Sequence, residues 1–487
     1  MEDQDRPDPQ HAYGSNAFSA SSASPEQPDR RRMLGSLLGT AAAAALAGCA
    51  TGSTLAPQPV ASKPVMGLKA APLPEVRLGL IGVGQRGAEL AQTLCRIEGA
   101  RITAIADIDA VAIDKTLALI NQAHAPRPEV ITGSSGAWER LIGRSDVDAV
   151  VIATPWELHT PMAVAAMRSG KHVFVETPAA VTLNEAWLLV DTSEATQRHC
   201  MMLESCCYGR QEMMLLNMIR QGLFGELVHA EGAYFHDLRQ QLKDVERGPG
   251  SWRSLRYAQL NGNLYPTHGL GPVAQYFNIQ RGDRFEYLNS QSSNARGLAA
   301  YASRELPPGH PHARLPYITG DVNTSVIKCA SGRTILLQHD TTTPRPYSRL
   351  NTVVGTNGVF SGFPDRIAID MMDGRKLMTP SGNREASREW DSDMKPWFER
   401  FDHPLWKQLG AQAQQGGAGG MDFVMMWRVI YNLRQGLPMD QDVYDAAAWS
   451  AVLPLSCESV ADRGNAKDFP DFTRGRWKTP RTLGVMV

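Results

Sequence analysis

The stretch Val76-Arg-Leu-Gly-Leu-Ile-Gly-Val-Gly-Gln-Arg-Gly87 constrains this chain more than any other. An apolar run breaks into G-x-G-x-x-G, with Gly82, Gly84 and Gly87 where a first parallel strand should turn into its helix. Gly82 allows the tight turn, Gly84 lets the backbone approach a pyrophosphate, and Gly87 lets helix and strand pack closely. The helix N-terminus then faces the phosphates. Glycine triplets also occur in ordinary loops, so the context decides. Arg101-Ile-Thr-Ala-Ile-Ala-Asp107 follows as a second strand. Asp107 stands about 20 residues past Gly87, the spacing at which a carboxylate meets the adenosine ribose hydroxyls. A dinucleotide site is expected here.

From Pro74 onward strand and helix alternate, which argues for a doubly wound parallel sheet of the Rossmann type over residues 74–205. Helices are expected at 110–122, 160–169 and 183–197, and buried strands at 148–154, 171–176 and 200–204. Ligands in such sheets bind beyond the carboxyl ends of the strands. Trp156, His159, Glu176, Thr177 and Ser205 all fall at such ends. Trp156 and His159 could equally cap a helix or fill a loop core.

Residues 206–487 change character and read as an α+β domain with an open, mostly antiparallel sheet. One sheet face is expected against helices and the other toward the nucleotide domain. Helices are expected at 210–221, 269–279, 421–435 and 443–462, with strands at 226–236, 285–290, 322–329, 334–339 and 351–354. The methionines of 210–221 fit a core stripe. An aromatic and basic run lies between Ser251-Trp-Arg253 and Asn263-Leu-Tyr-Pro-Thr-His268.

Ahead of these domains, residues 1–32 are polar, and Asp29-Arg-Arg-Arg-Met-Leu34 precedes a short alanine-rich segment. That segment is too short to span a bilayer comfortably, and its basic flank fits an export signal over 1–49. The arginine pair resembles a twin-arginine signal, whose machinery carries folded proteins. Leu46-Ala-Gly-Cys49 resembles a lipoprotein processing box, with Cys49 as the lipid-anchored residue. A plain cleavable signal is the alternative. Residues 50–73 read as a flexible tether. The expected location is periplasmic, free or membrane-anchored. The formal net charge of −1 gives no hint of a nucleic-acid partner. The seven cysteines include no C-x-x-C and no metal-ligand spacing, so no metal site is expected.

The order G-x-G-x-x-G, A-D-x-D, A-T-P-x-x-x-H, E-x-P resembles the glucose–fructose oxidoreductase/inositol dehydrogenase superfamily over residues 74 to about 465. Sugar dehydrogenases of that superfamily carry Glu-Lys-Pro, whose lysine helps move the hydroxyl proton. Here Glu176-Thr177-Pro178 stands instead. Threonine cannot be a cation, nor a base near neutral pH.

Longer segments narrow the resemblance. Leu203-Glu-Ser-Cys-Cys-Tyr-Gly-Arg210, His229-Ala-Glu-Gly-Ala-Tyr-Phe-His-Asp-Leu-Arg239, Tyr265-Pro-Thr-His-Gly-Leu-Gly-Pro272, Arg281-Gly-Asp-Arg-Phe-Glu-Tyr287 and Asp340-Thr-Thr-Thr-Pro-Arg-Pro-Tyr347 resemble the family 109 glycoside hydrolases. Members are NAD-dependent α-N-acetylgalactosaminidases, so the resemblance implies a glycan substrate with a terminal α-linked N-acetylgalactosamine. It places Gln85, Arg86, Asp107, Trp156, Glu157, Leu158, His159, Glu176, Thr177 and Ser205 on NAD, beside the glycine loop. Tyr234, Arg253, Tyr265, Pro266, Thr267, His268 and Tyr347 would line the sugar site. That family tends to have Asn where Ser205 stands and Val where Thr177 stands.

A conventional glycosidase needs two carboxyl groups flanking the bond, and NAD-dependent families are exceptions. No acid pair is evident in the aromatic region. The resemblance implies oxidation at C3, elimination across C1–C2, addition of water and reduction. His268 is the first choice for accepting a proton from the C3 hydroxyl or from C2, since an unperturbed histidine titrates near 6.5. Tyr265 could share the relay, and Tyr347 is the other acid/base candidate. Which of the three is the base at C2 stays open. The competing readings are an NAD(P)-dependent periplasmic sugar oxidoreductase and a non-catalytic sugar sensor. A homodimer is expected from the superfamily's exposed sheets.

Overall fold

The computed structural model describes residues 63–369, 390–415 and 418–486. The expected export signal, with Cys49, lies outside the described residues. Strands β1 (Val76–Ile81), β2 (Ala100–Ala106), β3 (Glu129–Ile131), β4 (Ala149–Ile152), β5 (His172–Val175) and β6 (Cys200–Met202) form a parallel sheet ordered β3-β2-β1-β4-β5-β6. They are joined by helices α1 (Gln85–Leu94), α2 (Ala110–Gln122), α3 (Ala137–Ile142), α4 (Trp156–Arg168) and α5 (Leu183–Thr196). β4 and β5 are buried at every position. A parallel sheet covered by helices on both faces requires unbroken apolar strands, and these sequences supply them. The strand order reverses between β1 and β4, which opens a crevice at their carboxyl ends.

The second half adds α6 (Arg210–Arg220), α7 (Gly250–Gln259), α8 (Thr267–Tyr276), α9 (Gly297–Glu305), α10 (Lys395–Phe401), α11 (Pro404–Ala413), α12 (Met421–Gln435), α13 (Val443–Ser450) and α14 (Val452–Ala461). Its strands are β7 (Leu227–Phe235), β8 (Phe285–Ser292), β9 (Asn323–Cys329), β10 (Thr334–Asp340), β11 (Thr352–Gly355), β12 (Gly358–Ser361), β13 (Arg366–Ile369) and β14 (Lys467–Asp468). They make one eight-stranded sheet ordered β13-β12-β11-β7-β10-β9-β8-β14. Every neighbouring pair is antiparallel except β7 with β10. That parallel pair brings two carboxyl ends to one edge, with Tyr234 opposite His339 and Phe235 opposite Asp340. Helix α8 lies close on β7. A Cβ added to Gly232 would stand 2.5 Å from the Gly269 carbonyl oxygen, so two glycines permit the approach. His268, next in sequence, is thereby set beside Tyr234.

Several expectations need correction. The sheet face opposite α8 and α14 does not turn toward the nucleotide domain; it is open, with Tyr287 and Val326 exposed on it. The segment 443–462 is two helices that meet at Ala451, where Pro454, in the first turn of the second, has no N–H to donate to the Ser450 carbonyl. The described end of the expected tether, 63–73, is docked. Val65 is buried and its N–H donates to the Tyr444 hydroxyl at 3.3 Å, while the Leu73 N–H donates to the Leu433 carbonyl. Helices α12 and α13 also pack back onto α1, α5 and β6.

Candidate active site

A cavity of about 720 Å³ opens at the switch point and runs to the carboxyl end of β7. At the nucleotide end, Gly82 has φ +82° and a Cβ there would lie 2.8 Å from the Ala153 carbonyl oxygen. A Cβ on Gly87 would stand 2.0 Å from the Gly82 carbonyl oxygen, so both positions are closed to larger residues. Gly84 differs: a Cβ there meets nothing within 4 Å. Gly84 is also the N-cap of α1, offers no side-chain cap, and is followed by a first turn without acids. The leading N–H groups of α1 therefore have space for an anion in front of them, as a pyrophosphate requires. Asp107 accepts from the Val83 N–H at 2.6 Å and the Asp109 N–H at 2.8 Å, which holds its carboxylate at the rim of β2. These residues fit a dinucleotide.

Arg86 crosses the crevice. Its Nε donates to Glu176 at 2.7 Å, and its terminal nitrogens grip Asp422 of α12 at 2.6 and 2.7 Å. Burial opposes the arginine's charge, but Glu176 and Asp422 outweigh it, so its pKa is raised well above the ordinary value. Gln85, Trp156, Leu158, His159, Glu176, Thr177 and Ser205 also line the cavity. His159 is fully buried, with Nδ1 and Nε2 each 2.7 Å from a backbone carbonyl, of Pro178 and Thr154. Its polar atoms thus brace the two loops. Glu157 is corrected: it is absent from the lining and pairs instead with Arg256 at 2.7 Å. It sits in the first turn of α4, where the helical twist turns it away from its neighbours Trp156 and Leu158.

At the other end, Tyr234, Arg253, Tyr265, His268 and Tyr347 line the same cavity. Pro266 and Thr267 do not. They start α8, with Pro266 as N-cap and Thr267 buried behind the lining. Tyr265 stacks on Trp156 at 5.7 Å, and its hydroxyl is 2.6 Å from Thr177 Oγ1. The Arg253 guanidinium lies over the rings of Trp156, Trp252 and Tyr265, with its terminal nitrogen donating to Gln241 Oε1. His268 packs edge-on to Tyr234 and Tyr265.

Glu204, at the end of β6, is the partner that sequence reasoning missed. It is fully buried and receives His268 Nδ1 at 2.8 and 3.0 Å from its two oxygens. A carboxylate accepts, so Nδ1 carries the proton and Nε2 is the nitrogen left for the cavity. Burial alone would lower the His268 pKa, yet the adjoining Cys206 and Glu204 outweigh it and the pKa is raised well above the ordinary value. Tyr347 has a partner of its own, Arg349, whose guanidinium donates to the phenol oxygen at 3.1 Å. Arg349 is in turn paired with buried Glu212. Burial raises the Tyr347 pKa and the Arg349 charge works against that rise. Burial raises that of Tyr234 too, and its hydroxyl is 2.9 Å from His236 Nδ1. Trp252, His236 and Arg349 were also missed: one aromatic or basic residue in a loop carries no periodic signal.

Residues 76–204 match the family model described as the NAD-binding Rossmann fold of an oxidoreductase family. Residues 208–479 match the one described as the C-terminal domain of glycosyl hydrolase 109. A glycosyl hydrolase family 109 protein of Shewanella amazonensis is 57% identical over 461 residues, covering 94% of this chain and 99% of the relative. One from Shewanella baltica strain OS195 is 52% identical, covering 92% and 97%. Among solved structures, a levoglucosan dehydrogenase in complex with NADH and levoglucosan superposes with a TM-score of 0.61 at 18% identity, covering 81% of this chain and 99% of that one. An NAD-binding oxidoreductase from Klebsiella pneumoniae gives 0.61 at 17% identity and the same coverage. These likenesses show the fold.

Proposed function

Because this chain belongs to the family 109 glycosyl hydrolases and carries an NAD-binding oxidoreductase domain, we propose that it hydrolyses terminal α-linked N-acetylgalactosamine by transient oxidation, elimination, water addition and reduction. The observation that carries this reading is one cavity shared by the glycine loop and by Tyr265, His268 and Tyr347. The described acids lining it are Glu89, Asp107, Asp109, Glu176 and Glu246, and none of them lies on the elements that hold those three residues. A carboxyl pair flanking a glycosidic bond is therefore not what the aromatic end offers.

Bound NAD supplies a reversible hydride acceptor, which makes the C2 hydrogen acidic beside a transient ketone. The protein supplies the proton traffic. In its neutral form His268 is a strong base, because Glu204 favours its charged state; Nε2 then takes a proton from the sugar at the C3 oxygen or at C2, and Glu204 stabilises the imidazolium that forms. Tyr265 sits edge-on to His268 and is held by Thr177, so Thr177 positions a phenol where related dehydrogenases have a lysine. Tyr347 remains protonated near neutral pH, which suits it to donate to the departing oxygen. Arg253 and Tyr234 orient the ring, and Trp156 and Trp252, packed edge to face, exclude water from it.

The test is aglycone release. The purified protein should liberate p-nitrophenol from the α-N-acetylgalactosaminide, exchange deuterium at C2, and accumulate no stoichiometric NADH. NADH rising with turnover and no aglycone would favour a sugar oxidoreductase instead. His268→Ala should abolish release while the protein still holds its nucleotide; full activity in that variant would remove His268 from this role.

Export, anchoring and pairing belong to the same proposal. The twin-arginine and Cys49 motifs support a folded, nucleotide-loaded lipoprotein in the periplasm. A cofactor that is regenerated in each turnover suits a compartment without a supply of it. The open face bearing Tyr287 and Val326 supports a homodimer. Metabolic labelling of Cys49 and light scattering of the purified protein check these two points.

A further inference from the structure

Glu204, Cys206 and His268 each offer one ligand atom, and these atoms lie within 4.8 Å of one another. We propose that this trio is a binding site for a thiophilic divalent cation of the Zn²⁺ class, and that its occupation reversibly silences the enzyme. The donor set selects the ion. Thiolate, imidazole and carboxylate suit Zn²⁺, whereas Mg²⁺ and Ca²⁺ want oxygen alone. The geometry is close to what the ion needs. Bonds of about 2.0–2.3 Å hold tetrahedral ligand atoms about 3.3–3.8 Å apart. Glu204 and His268, now 2.8 Å apart at Oε1 and Nδ1, would open slightly, and the widest separation would close by about 1 Å.

Burial and second contacts favour a built site. Glu204 and Cys206 are both buried, and the Cys206 N–H donates to Glu204 Oε1 at 3.1 Å, which fixes the carboxylate. Cys206 and His268 line the cavity, but Glu204 stands behind them. Three protein ligands would thus hold the ion, with its fourth position open to water or a sugar hydroxyl, as in sites that are not purely structural. Burial raises the Cys206 pKa, so binding releases the thiol proton to solvent; the resulting thiolate and the carboxylate carry two negative charges against the ion's two positive ones. Arg349, the cation facing Cys206, is already neutralised by Glu212. With Nδ1 on the metal, the neutral ring must carry its one proton on Nε2, which then has no lone pair to take a proton from the sugar, so loading competes with catalysis.

Binding itself does not depend on the glycosidase reading; only the silencing does. The experiment therefore begins without substrate. Chelator-treated full-length protein with its nucleotide is titrated with Zn²⁺, and with Co²⁺ as a spectroscopic stand-in. One ion per chain is expected, with a thiolate-to-Co²⁺ charge-transfer band and tetrahedral visible bands. Cys206→Ser should lose the band and weaken Zn²⁺ binding by about 100-fold or more, while Cys95→Ser keeps both. Glu204→Gln, which leaves thiol and imidazole in place, should retain the band at an affinity lowered about 10-fold or more, covering a Cys206 variant that folds poorly. No band, or one that survives in Cys206→Ser, overturns the site. In the activity arm Zn²⁺ should suppress aglycone release and EDTA restore it. Ion binding without suppression overturns the silencing alone, and absence of all aglycone release without Zn²⁺ indicts the function reading instead.

Discussion

Gly84 and Gly87 separate cofactor binding from folding within three residues. Gly84 has φ −64° and ψ −158°, an extended conformation open to alanine, and its Cβ would point into empty space. Gly84→Ala should therefore leave the unfolding free energy of the nucleotide-free protein within about 0.5 kcal/mol of wild type, or raise it slightly through the less flexible unfolded chain. The same methyl would stand where a pyrophosphate must approach the backbone. Losing that approach should weaken NAD binding about 10- to 100-fold, or roughly 1.4–2.8 kcal/mol. In Gly87→Ala the new methyl would meet the Gly82 carbonyl oxygen at 2.0 Å, which is backbone and cannot swing aside. That variant should lose about 1–3 kcal/mol of stability as well as the cofactor. The assay is a thermal or urea melt of stripped protein, with NAD titration and quantification of heat-released nucleotide. Wild-type protein should melt higher with NAD added, and Gly84→Ala should show much less of that rise. Wild-type NAD affinity in Gly84→Val, or equal destabilisation by Gly84→Ala and Gly87→Ala, would refute the reasoning.

Glu212→Gln should cost about 3–5 kcal/mol in a denaturant titration, because it strands the buried Arg349 guanidinium; a loss under about 1 kcal/mol would mean water already reaches the pair. The same variant should cut kcat more than it raises KM, since Arg349 then no longer presents its donor squarely to Tyr347. The buried neighbours His172 and His199 are held neutral by burial, with pKa values lowered to about 4 and about 3. Unfolded histidine takes up its proton near 6.5, so the stability these rings permit is whole above that pH and drains as pH falls below it. The loss reaches about 2 kcal/mol per ring by pH 5. His199→Gln should keep about 2 kcal/mol more of its neutral-pH stability at pH 5 than wild type does. An unchanged pH slope in urea melts would exclude the ring as a source.

Chain order and local chemistry alone determined the nucleotide half. The glycine spacing, the carboxylate after β2 and the apolar runs of β1, β4 and β5 are signals within a few residues of the structure they specify. Long matching segments likewise identified the second half and put Tyr234, Tyr265, His268 and Tyr347 in one site. Tertiary structure decided what stands behind each of these groups. Glu204 meets His268 across 64 residues of sequence, Arg86 meets Asp422 across 336, and Arg349 meets Glu212 across 137. It also decided that Glu157 turns outward and that Glu204, Cys206 and His268 converge. No spacing rule reports such pairs, because they depend on how α8 settles on β7 and how α12 returns to α1. A turn or a strand is settled by its own residues; a charge pair is settled by which surfaces the packing brings face to face.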